Sequence, residues 1–153
     1  MCSSDLRVTL SEFVLETILE WTLAPKLRGG GSRQCRELAG DVALVLSLLA
    51  HADTGAAAAL AKFDKGRQSL AMPDLALLDR DALQLSRVVL ALERLCGLAP
   101  PEKQRAIAAF ALAIEADGEV RLKGHELLRA VACVMDCPMP PSVAALDPRL
   151  LRK

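Results

Sequence analysis

The sequence has no tyrosine, one tryptophan and three phenylalanines, so aromatic residues make up 3% of its 153 positions. It has few β-branched residues and no long alternation of apolar with polar, the pattern that marks a half-buried strand. It has no excess charge, because 19 basic residues meet 19 acidic ones. A phosphate-tracking surface needs a surplus of Lys and Arg, which excludes nucleic acid as the expected partner. Met1 to Leu10 lacks the apolar core of a secretory signal. Val42 to Ala52, the longest uncharged apolar stretch, falls short of the roughly 20 residues that a membrane helix needs. It reads as a buried core helix, and no direct membrane insertion is expected.

What is present is alanine and leucine, both strong helix formers, within a 52% hydrophobic composition. The expected class is all-α: a single bundle of six or seven helices over 1–141, followed by an extended or frayed tail at 142–153. Thr9 and Glu12 have capping-box spacing, and Leu10, Phe13, Val14, Ile18 and Trp21 mark the apolar face of a first helix ending before Pro25. Gly29-Gly30-Gly31-Ser32 lacks the Gly-Lys-Ser/Thr ending of a phosphate loop and reads as a mobile connection. Further helices are expected over 33–52, from a Thr54 cap to about Lys65, and from Asp79 or Asp81 to Cys96, with Leu85, Val88, Val89, Leu92 and Leu95 inward. Pro73-Asp74 reads as a short turn of helix, and Gly97-Leu98 as a left-handed stop. Pro100-Pro101 opens the next helix, with Ile107, Phe110, Ala111 and Ile114 as its stripe. The last long helix, 122–135, buries Leu127, Leu128, Val131 and Val134, and Pro138, Pro140 and Pro141 end it.

Five cysteines, at 2, 35, 96, 133 and 137, form no Cys-x-x-Cys pair and read as buried structural thiols in a reducing compartment. Cys133 and Cys137 stand one helical turn apart and are able to share a face. His125-Glu126 lacks the second histidine of a zinc-protease His-Glu-x-x-His helix, because Arg129 stands in its place, and His125 reads as a surface residue. No serine sits in a Gly-x-Ser-x-Gly elbow. No catalytic residue is expected, and no cofactor.

The two ends of the chain echo each other. Asp5-Leu6-Arg7-Val8-Thr9-Leu10 introduces the first helix, and Asp117-Gly118-Glu119-Val120-Arg121-Leu122 the last. The first copy has no helix before it, as though the chain began partway through a helix–turn–helix unit. Asp5, Glu12, Asp117 and Glu119, with Glu126 nearby, offer the hard oxygen ligands that a divalent cation takes. Their spacing is not that of an EF-hand. The same positions suit helix capping, where a carboxylate meets exposed N–H groups, and the pattern favours capping.

Ala116-Asp117-Gly118-Glu119-Val120, followed by Leu127-Leu128-Arg129-Ala130-Val131, resembles the Ala-Asp-Gly-x-Ile/Val signature of TerB-like (tellurite-resistance) helical domains. Leu98-Ala99-Pro100-Pro101 and Asp136-Cys137-Pro138-Met139-Pro140-Pro141 are similar to the C-terminal TerB-like region of HtpX-like bacterial membrane zinc metallopeptidases. Val8-Thr9-Leu10-Ser11-Glu12-Phe13 also fits that region. The resemblance implies paired helices with a duplicated Asp-turn unit, and a non-catalytic accessory role as the regulatory or scaffolding part of such a peptidase. Its partners would be a protein, the parent protease domain or a second copy. Its place would be the cytoplasmic side, tethered to the inner membrane through the parent. The alternative is a divalent-cation-binding stress-response module. Family members often carry Glu seven residues after the Asp; Glu12 supplies it in the first copy, and Gly124 stands there in the second.

Overall fold

The computed structural model describes residues 31–52, 56–116, 120 and 122–150. Within them the chain is helical: α1 (Ala39–His51), α2 (Ala56–Leu70), α3 (Leu85–Leu95), α4 (Pro100–Glu115) and α5 (Leu122–Val134), then a single helical turn, α6 (Pro141–Ala144). No strand occurs among the described residues; the one extended contact is an isolated parallel bridge between Arg33 and Leu98. The expected first helix, with Phe13 and Trp21, lies outside the described residues.

α1 is the centre. Every residue from Val42 to Ala50 is buried, as an uncharged run flanked on all sides must be. α2, α3 and α4 each pack on it, and α2 also packs lengthwise on α4. The close approach of these helices is made at Gly66, where an added Cβ would lie 2.6 Å from Leu46 Cδ1 and 3.1 Å from the Ala109 carbonyl. From α4 come Ala106, Ala109 and Ala113, all fully buried, with Ile107, Phe110 and Ile114 filling the space between. The expected stripe of that helix is thus the observed one. In the expected alanine run of α2, Ala58 is exposed and Ala59 buried, so that run serves the crossing less than Gly66 does.

Several boundaries differ from expectation, each for a local reason. α1 starts at Ala39 because Gln34 to Leu38 form a turn, closed by Glu37 N–H to the Gln34 carbonyl (3.0 Å) and Leu38 N–H to Cys35 (3.2 Å). α2 runs on to Leu70 and ends in a Schellman motif: Met72 N–H meets the Arg67 carbonyl (3.3 Å) and Ala71 N–H meets Gln68 (3.1 Å). α5 ends the same way, through Cys137 N–H to Ala132 (3.0 Å) and Asp136 N–H to Cys133 (3.2 Å). The left-handed residues are Ala71 (φ 53°) and Asp136 (φ 52°). Gly97, expected in that conformation, is not left-handed; its N–H bonds the Arg94 carbonyl at 2.9 Å and no positive φ is needed. Pro73 and Asp74 form a turn without helix, and the short helical piece falls later, at Arg80–Ala82.

The Gly-rich segment ends in a fixed contact. Gly31 lies against the Gly97 backbone so closely that a Cβ would sit 1.7 Å from the Gly97 carbonyl oxygen. Arg33 N–H then donates to that same oxygen (3.2 Å), and Ala99 N–H donates to the Arg33 carbonyl (2.9 Å). Past α5, the tail expected to be extended forms α6 and a 3-10 turn at Pro148–Leu150. Val143 is fully buried, which anchors this segment to the bundle.

Candidate functional site

The four residues with the right chemistry for a cation, Asp5, Glu12, Asp117 and Glu119, lie outside the described residues. Glu126, their possible neighbour, is exposed on α5. Among the described residues, no three His, Cys, Asp or Glu side chains are grouped so as to hold a metal ion.

His125 corrects the sequence reading. It is buried (4% exposed), because its position on α5 is covered by the α6 turn. Its Nε2 donates to the Val143 carbonyl at 3.3 Å. Its Nδ1 is buried, and no hydrogen-bond partner for it occurs among the described residues. The ring therefore fastens the C-terminal segment to α5.

A second polar pair on α1 holds the connection between α2 and α3. Ser47 and His51 lie one turn apart, so both side chains reach the same strip of chain. Ser47 Oγ accepts from the Leu78 N–H (3.0 Å), and His51 Nε2 donates to the Leu78 carbonyl (2.8 Å). Both backbone groups of one residue in an irregular segment are thereby satisfied, which a buried connection requires. Arg67 does similar work from α2: it pairs with Asp64 and donates to the Leu75 carbonyl (3.2 Å).

The densest polar cluster gathers at the start of α4. Glu102, in the first turn, accepts the Cys35 N–H at 2.9 Å and the Arg105 guanidinium at 2.9 Å. Arg105 donates further to the Leu70 carbonyl at the end of α2 (3.2 Å). The Cys35 thiol donates to the Glu102 carbonyl (3.6 Å). One carboxylate thus ties the Cys35 turn, α4 and the end of α2. The Cys35 N–H, and then Arg105, hold Glu102 below the usual carboxylate range. Burial, then the adjoining Glu102, pushes the Cys35 thiol up to about 12. A thiol held protonated is a poor nucleophile, and a carboxylate held ionised is a poor general base at neutral pH. The bonds of this cluster brace the Cys35 turn against α4.

Two more thiols lie at the same end. Cys96, at the C-terminal end of α3, donates from Sγ to the Val134 carbonyl at 3.1 Å. Cys137, just past α5, is half-buried, and burial raises its thiol while the nearby Lys103 charge opposes the shift. Cys133 is exposed, and of the described cysteines only Cys35 is buried, against the expectation of buried thiols. Most of these polar partners are far apart in the sequence, 18 residues for His125–Val143 and 67 for Cys35–Glu102. Sequence periodicity carries no signal for them. Among the described residues no helix is long and apolar enough to cross a membrane.

No family model matches this chain, and neither a curated protein nor a solved structure does so.

Proposed function

We propose that this chain is a non-catalytic accessory domain that works by binding protein, as the C-terminal regulatory or scaffolding part of a membrane-bound zinc metallopeptidase. One observation supports the non-catalytic half of this reading: several polar side chains drawn into the bundle bond backbone groups of other elements. Ser47 and His51 hold Leu78, His125 holds Val143, and Glu102 holds the Cys35 N–H. Each is a cross-brace between elements, the use expected of a rigid scaffold rather than of a reacting centre. The peptidase half rests on the Ala116-to-Val120 and Asp136-to-Pro141 motifs of the sequence.

The test is to cross-link the chain in its own cells and identify what it contacts. Recovery of a protein with membrane helices and a His-Glu-x-x-His motif, or of that motif in the same polypeptide, is the expected result. A partner without that motif overturns the peptidase reading. Hydrolysis of a peptide library by the purified chain overturns the non-catalytic one.

A further inference from the structure

Cysteines far apart in the sequence converge on one end of the bundle. Cys35 rests on Glu102 in the first turn of α4, and the Lys103 charge next to it acts on Cys137. Cys96 stands four residues before Pro100, and its Sγ lies 3.1 Å from the Val134 carbonyl. Val134 is the last residue of α5, three before Cys137. At that point the chain does not run on: the left-handed Asp136 turns it, and Cys137 N–H folds back onto the Ala132 carbonyl at 3.0 Å. Cys137 thus stands three residues beyond the same helix end that the Cys96 sulfur touches.

The other thiols differ. Cys35 is buried and fastened to Glu102. Cys133, one residue before the end of α5, is exposed on the stripe that also carries Glu126 and Arg129. Cys96 and Cys137 are both half-buried and reduced, within reach of a small oxidant yet against the core.

We propose that Cys96 and Cys137 form a disulfide on exposure to a peroxide, a redox-sensitive staple between the end of α3 and the chain leaving α5. One thiolate attacks a peroxide oxygen; the O–O bond breaks, water leaves and a sulfenic acid remains. The second thiolate attacks that sulfur, the S–S bond forms and a second water leaves. The two thiols lose two protons and two electrons in all, and the peroxide is reduced to two waters. The Cys96 bond to the Val134 carbonyl is given up, and the α3 and α5 ends are joined covalently. This holds whether or not the domain belongs to a peptidase.

The experiment uses the full reduced chain, treated with hydrogen peroxide, quenched with iodoacetamide and digested with trypsin without reductant. Cys133 and Cys137 fall in one tryptic fragment, so Cys133→Ser is the working background. In that variant, a linked pair of fragments carrying Cys96 and Cys137, lost in Cys96→Ser and in Cys137→Ser, is expected. Oxidation is also expected to raise the melting temperature, and dithiothreitol to reverse the rise. Cys96 and Cys137 recovered singly alkylated, a sulfinic or sulfonic acid at either, a link that needs Cys133, or a link between two chains would each overturn the proposal.

Discussion

Replacing Gly66 with alanine is expected to destabilise the chain, although alanine is the better helix former. In an open helix position, Gly→Ala gains about 0.5–1 kcal/mol. At Gly66 the new methyl would sit 2.6 Å from Leu46 Cδ1 and 3.1 Å from the Ala109 carbonyl oxygen. Leu46 is fully buried, so its side chain has little room to retreat. The carbonyl belongs to α4 backbone, and moving it means moving a helix that also packs on α1. Overpacking of this kind costs about 1–3 kcal/mol. Steric cost exceeds propensity gain, for a net loss of about 0.5–2 kcal/mol and a fall of roughly 2–6 °C in melting temperature for a domain of this size.

Gly40 supplies the control, because nothing lies within 4 Å of a Cβ built there. Gly40→Ala carries the propensity gain alone and is expected to raise the melting temperature by about 1–3 °C. Thermal unfolding followed by circular dichroism measures both. In a Leu46→Ala background, which removes the nearer obstacle, Gly66→Ala is expected to cost less, with a coupling of about 1 kcal/mol. If Gly66→Ala stabilised the chain as much as Gly40→Ala, the close crossing of α1, α2 and α4 would be refuted.

The left-handed Ala71 and Asp136 each carry strain that glycine does not. Ala71→Gly is expected to stabilise by about 0.5–1 kcal/mol in urea unfolding, and Asp136→Gly by less, because Asp tolerates this conformation better. Glu102 titrates below its ordinary 4.5 in the fold, so its contribution is present above that pH and is lost as pH falls through the folded value. Glu102→Gln should lower stability at neutral pH and flatten the acid limb below about pH 4.5; an unchanged acid limb would count against the Cys35–Glu102 bond. Cys35 runs the other way: raised from 9.0 to about 12, it contributes stability below pH 9 that is lost as pH climbs toward 12. At pH 8 iodoacetamide should label exposed Cys133 well before Cys35, and equal labelling would contradict the buried, protonated thiol. Calorimetry with Ca²⁺ and Mg²⁺ should show no heat; saturable binding that is lost on Asp117→Asn would restore the acidic turns as a cation site.

What the sequence discloses is what a helix decides within itself. The uncharged run from Val42 and the stripe Ile107, Phe110, Ala111 and Ile114 are local patterns of apolar side chains, and they are buried as read. The type of α5 was legible too, and its end at the prolines was off by one residue. His125 reads as a surface residue because its burial comes from Val143, eighteen residues on, in a segment whose prolines point to an extended tail. Ser47 drew no notice inside an apolar run, yet it is fully buried and its hydroxyl is committed to Leu78. The acidic turns, the part of the sequence richest in chemical suggestion, fall outside the described residues.

The start of α4 shows why polar chemistry collects where it does. A helix begins with four N–H groups that lack partners inside it. Here the first two positions are Pro100 and Pro101, which have none to offer, and Lys103 N–H already reaches the Ala99 carbonyl at 2.9 Å. Little capping is left for Glu102 to do on its own helix, although it occupies the third position, where a carboxylate is favoured by the helix dipole. One of its oxygens holds Arg105, and the other is available to another element and takes the Cys35 N–H at the turn that precedes α1. The same prolines keep the preceding residue extended, as Ala99 is at ψ 148°. Its N–H can then meet the Arg33 carbonyl, and Leu98 can pair beside it. Two prolines thus free a carboxylate and straighten the chain before it, and both effects draw the Cys35 turn onto the helix start.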